Sequence, residues 1–229
     1  TNKQGKSASN YVHFKGLNSR IKKDKLTLVS AYSVPKQNRF FNPFDYKTYS
    51  EAQFISTEEP IEGSDKIKES IAMVFAYKYI PADPGKYYLY SPDSEEAQEF
   101  CDKNGIRGYN REEMKSCVFY RIEGVGGYEL DEAIEAAQDN NEKAKLINER
   151  NNLDWKYFDE YINDDYLSTL DFSNATNALQ LKGGFYAFKT FDNRKGIIWV
   201  NYLNNFNNPI PITIRRYIFQ AVSTENGNN

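Results

Sequence analysis

The stretch ALQLKGGFYAFKTFDNRKGIIWVNYLNNFNNPIPITIRRYIFQAV, from Ala178 to Val222, decides the fold. It reads as three consecutive strands, residues 179–191, 196–206 and 210–222, each rich in Phe, Tyr, Ile, Val or Trp. Asp192-Asn193-Arg194-Lys195-Gly196 separates the first two, and Asn207-Asn208-Pro209 the next two. Short polar links carrying Gly, Asn and Pro between β-rich runs mark antiparallel hairpins. The pattern predicts a three-stranded meander within one sheet.

Working back from this meander, residues 70–80 (SIAMVFAYKYI) are apolar on both parities. A strand buried on both faces gives that pattern, and it needs a second layer above it. Pro81-Ala82-Asp83-Pro84-Gly85 is a turn, and residues 86–90 (KYYLY) return as the other arm of a hairpin. In 91–105 (SPDSEEAQEFCDKNG) Ser91 is placed to cap a helix, with Pro92 in its first turn and Gly105 closing it. Residues 117–123 (CVFYRIE) form a strand that Gly124-Val125-Gly126-Gly127 breaks.

Two helical regions follow. In 129–138, Leu130, Ala133, Ile134 and Ala137 fall at i, i+3, i+4 and i+7 and make one apolar stripe. In 142–163, Trp155, Phe158 and Ile162 share a face, with Asp154 and Asp159 expected to turn away from it. Nearer the amino terminus, 25–34 (KLTLVSAYSV) is a strand stopped by Pro35. Residues 39–49 (RFFNPFDYKTY) crowd five aromatics around Pro43, which predicts a loop pinned by its side chains.

The order strands, helix, strand, helices, strands, with no repeat and no long linker, predicts a single α+β domain over 11–229. Its sheet is mainly antiparallel, with inserted helices packed on one face. Residues 1–10 are small, polar and Lys-bearing and should form a disordered basic arm.

Composition narrows the function. Residues 1–40 hold nine Lys or Arg against Asp24 alone, a balance of +8, and the remainder of the chain is acidic. A basic arm on an acidic body suits a position near an anionic surface. No apolar run is long enough to span a membrane. The chain opens Thr1-Asn2-Lys3-Gln4 without an initiator Met, as a processed chain would, so the missing secretory h-region does not argue for the cytosol.

His13 is the one histidine, which excludes zinc sites built from several imidazoles and leaves a Ser-His-Asp or Cys-His arrangement badly placed. Cys101 and Cys117 flank a polar loop, and a disulfide between them would hold it and fit an exported protein. Gly124–Gly127 occupies the place of a phosphate loop but lacks the GxGxxG and GxxxxGK[ST] forms, so it reads as a turn. The acids Asp154, Asp159, Glu160, Asp164, Asp165 and Asp171 match no calcium loop and read as a solvated face. Asn174-Ala175-Thr176 has the form of a glycosylation sequon. Interleaved basic and aromatic residues in 11–25 match no nucleic-acid motif, and nucleic acid is not expected as a partner.

These features point to a non-enzymatic exported protein, whether periplasmic, secreted or surface-anchored as a lipoprotein, that binds another macromolecule and needs no cofactor. The expected contact is the aromatic loop with Arg39, Phe40, Phe41, Phe44, Tyr46 and Tyr49. Alternatives are a histidine-independent hydrolase or transferase using Asp/Glu pairs, or a cytosolic inhibitor or immunity-type protein.

Overall fold

A computed structural model describes residues 21–28, 39–43, 47–50, 64–80, 83–106, 108–201 and 210–217. His13 and residues 1–10 lie outside the described residues, as do Phe44 and Tyr46.

The meander is present. Strands β8 (Gly184–Thr190), β9 (Lys195–Val200) and β10 (Ile210–Tyr217) pair in sequence, with Tyr186 opposite Ile198 and Ile198 opposite Ile214. With β1 (Ile21–Leu28) and β6 (Cys117–Ile122) they complete a five-stranded antiparallel sheet ordered β1-β10-β9-β8-β6. The expected first strand is in fact two. Its beginning, β7 (Ala178–Leu181), pairs with β5 (Asp83–Tyr90) in a second sheet ordered β3-β2-β4-β5-β7. The remaining members of that sheet are β2 (Phe40–Asn42), β3 (Lys47–Tyr49) and β4 (Met73–Ile80). Lys182 and Gly183 carry the chain from one sheet to the other, and Gly184 takes φ +116°, which side chains rarely adopt.

The two sheets face each other. Alternation along each strand sends Met73, Phe75, Tyr87 and Leu89 of one sheet and Cys117, Phe119, Tyr186, Phe188 and Ile198 of the other into a shared core. Neighbouring positions point outward. Phe40, Val74, Ala76 and Tyr90 pack beneath the α1 (Ser64–Ser70) and α2 (Glu95–Lys103) side, while Phe185, Ala187, Ile197 and Trp199 pack beneath α4 (Asn140–Glu160) and α5 (Asp164–Thr169). The architecture is therefore α+β in four layers, helix, sheet, sheet, helix. It has two sheets where one was expected, and helices on both outer faces. The strand over 73–76 is buried on both sides for this reason, Met73, Val74 and Phe75 each contributing roughly 1.5–3 kcal/mol.

Local signals moved some boundaries. Ser94, not Ser91, caps α2, accepting from the Ala97 amide at 3.1 Å. Residues 91–94 first make a turn closed by Ser94 N–H to Ser91 O, and the Ser91 hydroxyl accepts from the Cys117 amide at 2.8 Å. The stripe over 129–138 shortens to α3 (Asp131–Ala136), preceded by a 3-10 turn at Tyr128–Leu130. Asp139 caps α4, which is the expected helix over 142–163 shifted to end at Glu160, and Asn163 caps the separate α5. No helix among the described residues is long and apolar enough to cross a membrane.

No disulfide joins Cys101 and Cys117; both are buried thiols. They belong to different packing layers, Cys101 on the buried face of α2 outside the second sheet and Cys117 between the two sheets, where burial pushes its thiol pKa up. Neither thiol should react with an alkylating reagent in native protein, and both should react after denaturation. Prompt native labelling of either would place that cysteine outside the core.

Candidate functional site

The site is organised by α4. Ile147, Arg150, Asp154 and Phe158 lie along one buried stripe of this helix, so an arginine and an aspartate four residues apart occupy core positions. The Arg150 side chain is 1% exposed and that of Asp154 0%. Such charges persist in the interior only when paired. Arg150 Nη1 donates to Asp154 Oδ1 at 2.7 Å, and Arg150 Nε lies 3.0 Å from Asp131 Oδ1 at the start of α3. The second Asp131 oxygen accepts from Arg121 Nη2 at 2.5 Å, and Arg121 Nη2 also reaches the Gly183 carbonyl at 3.0 Å. The row thus alternates in sign: Arg121, Asp131, Arg150, Asp154.

The glycine turn after β6 makes room for this row. The Gly127 amide donates to Asp154 Oδ1 at 2.9 Å. A Cβ on Gly127 would come within 2.8 Å of Arg150 Cδ, and one on Gly184 within 2.9 Å of Arg150 Nη2. Gly124-Val125-Gly126-Gly127 is a turn, as expected, and its bare backbone forms one wall of a buried ion-pair site.

Burial pushes the Asp154 carboxyl up to about 6, against the downward pull of Arg150 and the Gly127 amide, while the nearby Asp131 charge adds to the rise. The Trp199 indole N–H faces the same carboxylate without completing a full hydrogen bond to it. Burial also works against the Arg121 charge. Tyr186 and Asp131 outweigh it and hold the guanidinium above its ordinary value.

Arg121 is the end of the row that meets solvent. With Asp131 it lines an open groove of about 410 Å³ bounded by Tyr128, Glu129, Glu132, Glu135 and Lys182. Arg121 lies over the Tyr128 ring at 5.2 Å, and Lys182 pairs with Glu135 at 2.8 Å, holding that carboxyl below its usual range.

The residues expected to form the contact lie elsewhere. Arg39, Phe40, Phe41 and Tyr49 are buried, and the Arg39 guanidinium stacks over Phe100 at 5.2 Å. Their segment is a β-hairpin, β2 and β3, with Phe40 opposite Tyr49, and not an irregular loop. Pro43 sits in its turn. In the acidic run, Asp159, Glu160, Asp165 and Asp171 are exposed as expected, but Asp154 is in the core. Among the described residues no group of three His, Cys, Asp or Glu is placed to hold a metal ion.

No protein-family model matches the chain, and no curated protein is significantly similar to it. Among solved structures it is similar to a DUF4466 family protein from Parabacteroides merdae, with a TM-score of 0.52 and 14% identity. The match covers 88% of this chain and 55% of that one, so the chain spans about half the length of its structural neighbour. Identity this low shows a shared fold alone.

Proposed function

We propose that the chain is a non-enzymatic binding protein whose groove beside Arg121 receives a lysine- or arginine-bearing segment of a macromolecular partner. The charge balance of the groove carries this reading. Both lining cations already face carboxylates, Arg121 against Asp131 and Lys182 against Glu135. Glu129 and Glu132 stay exposed, with no cation against them among the described residues. Complementary charge of this kind selects partners and speeds their encounter.

Acid–base catalysis in the groove is less well supported. A general acid needs a raised pKa and access to substrate. The carboxyl that burial holds above its ordinary range, Asp154, is sealed from solvent. Export belongs to the same proposal. It rests on the +8 balance of residues 1–40, which suits an anionic cell surface or a lipid-anchored position near one, and draws nothing from a disulfide.

Tetralysine titrated into the full chain at low salt should bind saturably and shift amides over 128–135 and at Lys182. The double variant Glu129→Gln/Glu132→Gln should weaken binding about tenfold, equivalent to about 1.4 kcal/mol. Absent saturation, or equal affinity for wild type and double variant, would remove the groove as the contact site.

A further inference from the structure

Resting on that reading of the groove, we infer that the buried row beneath it is a proton-linked relay. Proton uptake at Asp154 releases Arg121 from Asp131 into the groove and lowers the groove's hold on a cationic segment. The geometry that carries this is the alternation of charge along a row closed at one end and open at the other. Asp154 is wholly buried at 0%, Arg150 is 1% exposed, Asp131 15% and Arg121 23%.

With all four groups ionised the row is neutral. A proton from solvent that binds the Asp154 carboxylate breaks no covalent bond, but it leaves two guanidinium groups sharing one carboxylate. The row then carries an excess positive charge in a poorly solvated place, where an uncompensated charge is costly. Arg150 has no room to leave, since Gly127 and Gly184 close on its side chain. Arg121 can shed the excess, because its guanidinium already borders the groove. Asp131 then turns wholly to Arg150, and a positive group enters the space that a cationic segment would use.

The other groups facing this row do not supply the same change. On the α4 side Asp154 meets Arg150, from α3 Asp131, from the glycine turn the Gly127 amide, and from β9 the Trp199 indole. Tyr186 of β8 faces Arg121, Asp131 and Arg150, and burial pushes its phenol up, so it stays neutral. Both arginines keep their charge throughout. Burial also brings Asp154 into the mildly acidic range, where an ordinary aspartate would already be fully ionised.

Side-chain NMR of the full chain without any ligand tests the relay separately from the groove's affinity. The Arg121 Nε–Hε signal should move with the same midpoint as the Asp154 carboxyl carbon. In Asp154→Asn it should sit near its acid position at every pH. An Arg121 signal that is flat through the Asp154 titration, or that still titrates in Asp154→Asn, overturns the relay. Should Asp154→Asn fail to fold, reciprocity supplies the second test. Arg121→Gln leaves the row with an excess negative charge, so the Asp154 midpoint should rise by about half a unit or more. An unchanged midpoint overturns the proposal equally. A moving Arg121 signal in a protein that ignores tetralysine would keep the relay and discard the groove as the contact site. Tetralysine binding that does not change between pH 5 and pH 8 would do the reverse.

Discussion

Replacing Arg150 with Met should destabilise the protein by about 3–5 kcal/mol at neutral pH, because it leaves two carboxylates without the cation they share. For a chain of this size that lowers Tm by about 10 °C, at roughly 2–4 °C per kcal/mol. Met nearly fills the space of the arginine stem, so a cavity accounts for little of the loss. The signature is its pH dependence. Asp154 in the folded protein is already raised above its unfolded value, so its favourable contribution is fully present below about pH 4 and lost as pH rises through about 6. Without Arg150 the folded pKa rises further. The gap between variant and wild type should therefore be widest at pH 8 and narrow on acidification, as urea unfolding at pH 5 and pH 8 would measure. Arg150→Lys should fall between the two, since one ammonium cannot face both carboxylates as the planar guanidinium does. Equal losses at both pH values would mean that Arg150 acts by packing alone.

The two sheets and this site were legible in the sequence to different degrees. Meander and hairpin could be read because residues 73–76, 87–90 and 185–200 alternate between two cores, and that alternation is local. The passage between sheets was hidden inside a run that looked like one strand. Its signal was the pair Gly183-Gly184, since glycine within a strand often marks a bend. The β2–β3 pair reads as a loop in the sequence because Pro43 and the intervening polar residues obscure two strands of three residues each.

Arg150 and Asp154 were missed for a different reason. An opposite-charge pair at i, i+4 usually lies on the wet side of a helix. Here the two share a stripe with Ile147 and Phe158, and that spacing was available as a warning. What no local pattern contains is the far partner. Asp154 is held by an amide 27 residues away, and Arg121 by a carbonyl 62 residues away. Those contacts exist only once both sheets and α4 are in place.

Gly126→Ala should be the most damaging glycine substitution in the turn after β6, costing about 3 kcal/mol or more through two separable effects. Gly126 has φ +62°, a conformation that costs an L-residue roughly 1–2 kcal/mol. Its added Cβ would also fall 2.3 Å from Asp154 Oδ1, with Phe185 Cε2 at 3.0 Å and the Asp154 Cα at 3.2 Å. The carboxylate cannot move aside without loosening the bonds it accepts from Arg150 and the Gly127 amide, and a hydrogen bond to a charged group contributes about 1.5–3 kcal/mol. Gly124→Ala separates the two effects. Gly124 has φ +71° and nothing within 4 Å of its Cβ position, so its alanine variant should show the backbone cost alone. Measured side by side by urea unfolding, Gly126→Ala should exceed Gly124→Ala by about 1.5 kcal/mol or more, the value of one such charged bond. The excess should shrink in an Arg150→Met background, where part of the network is already lost and the two changes cannot add. If both alanine variants cost the same, the turn has slack against Asp154, and the glycines are needed for their backbone conformation only.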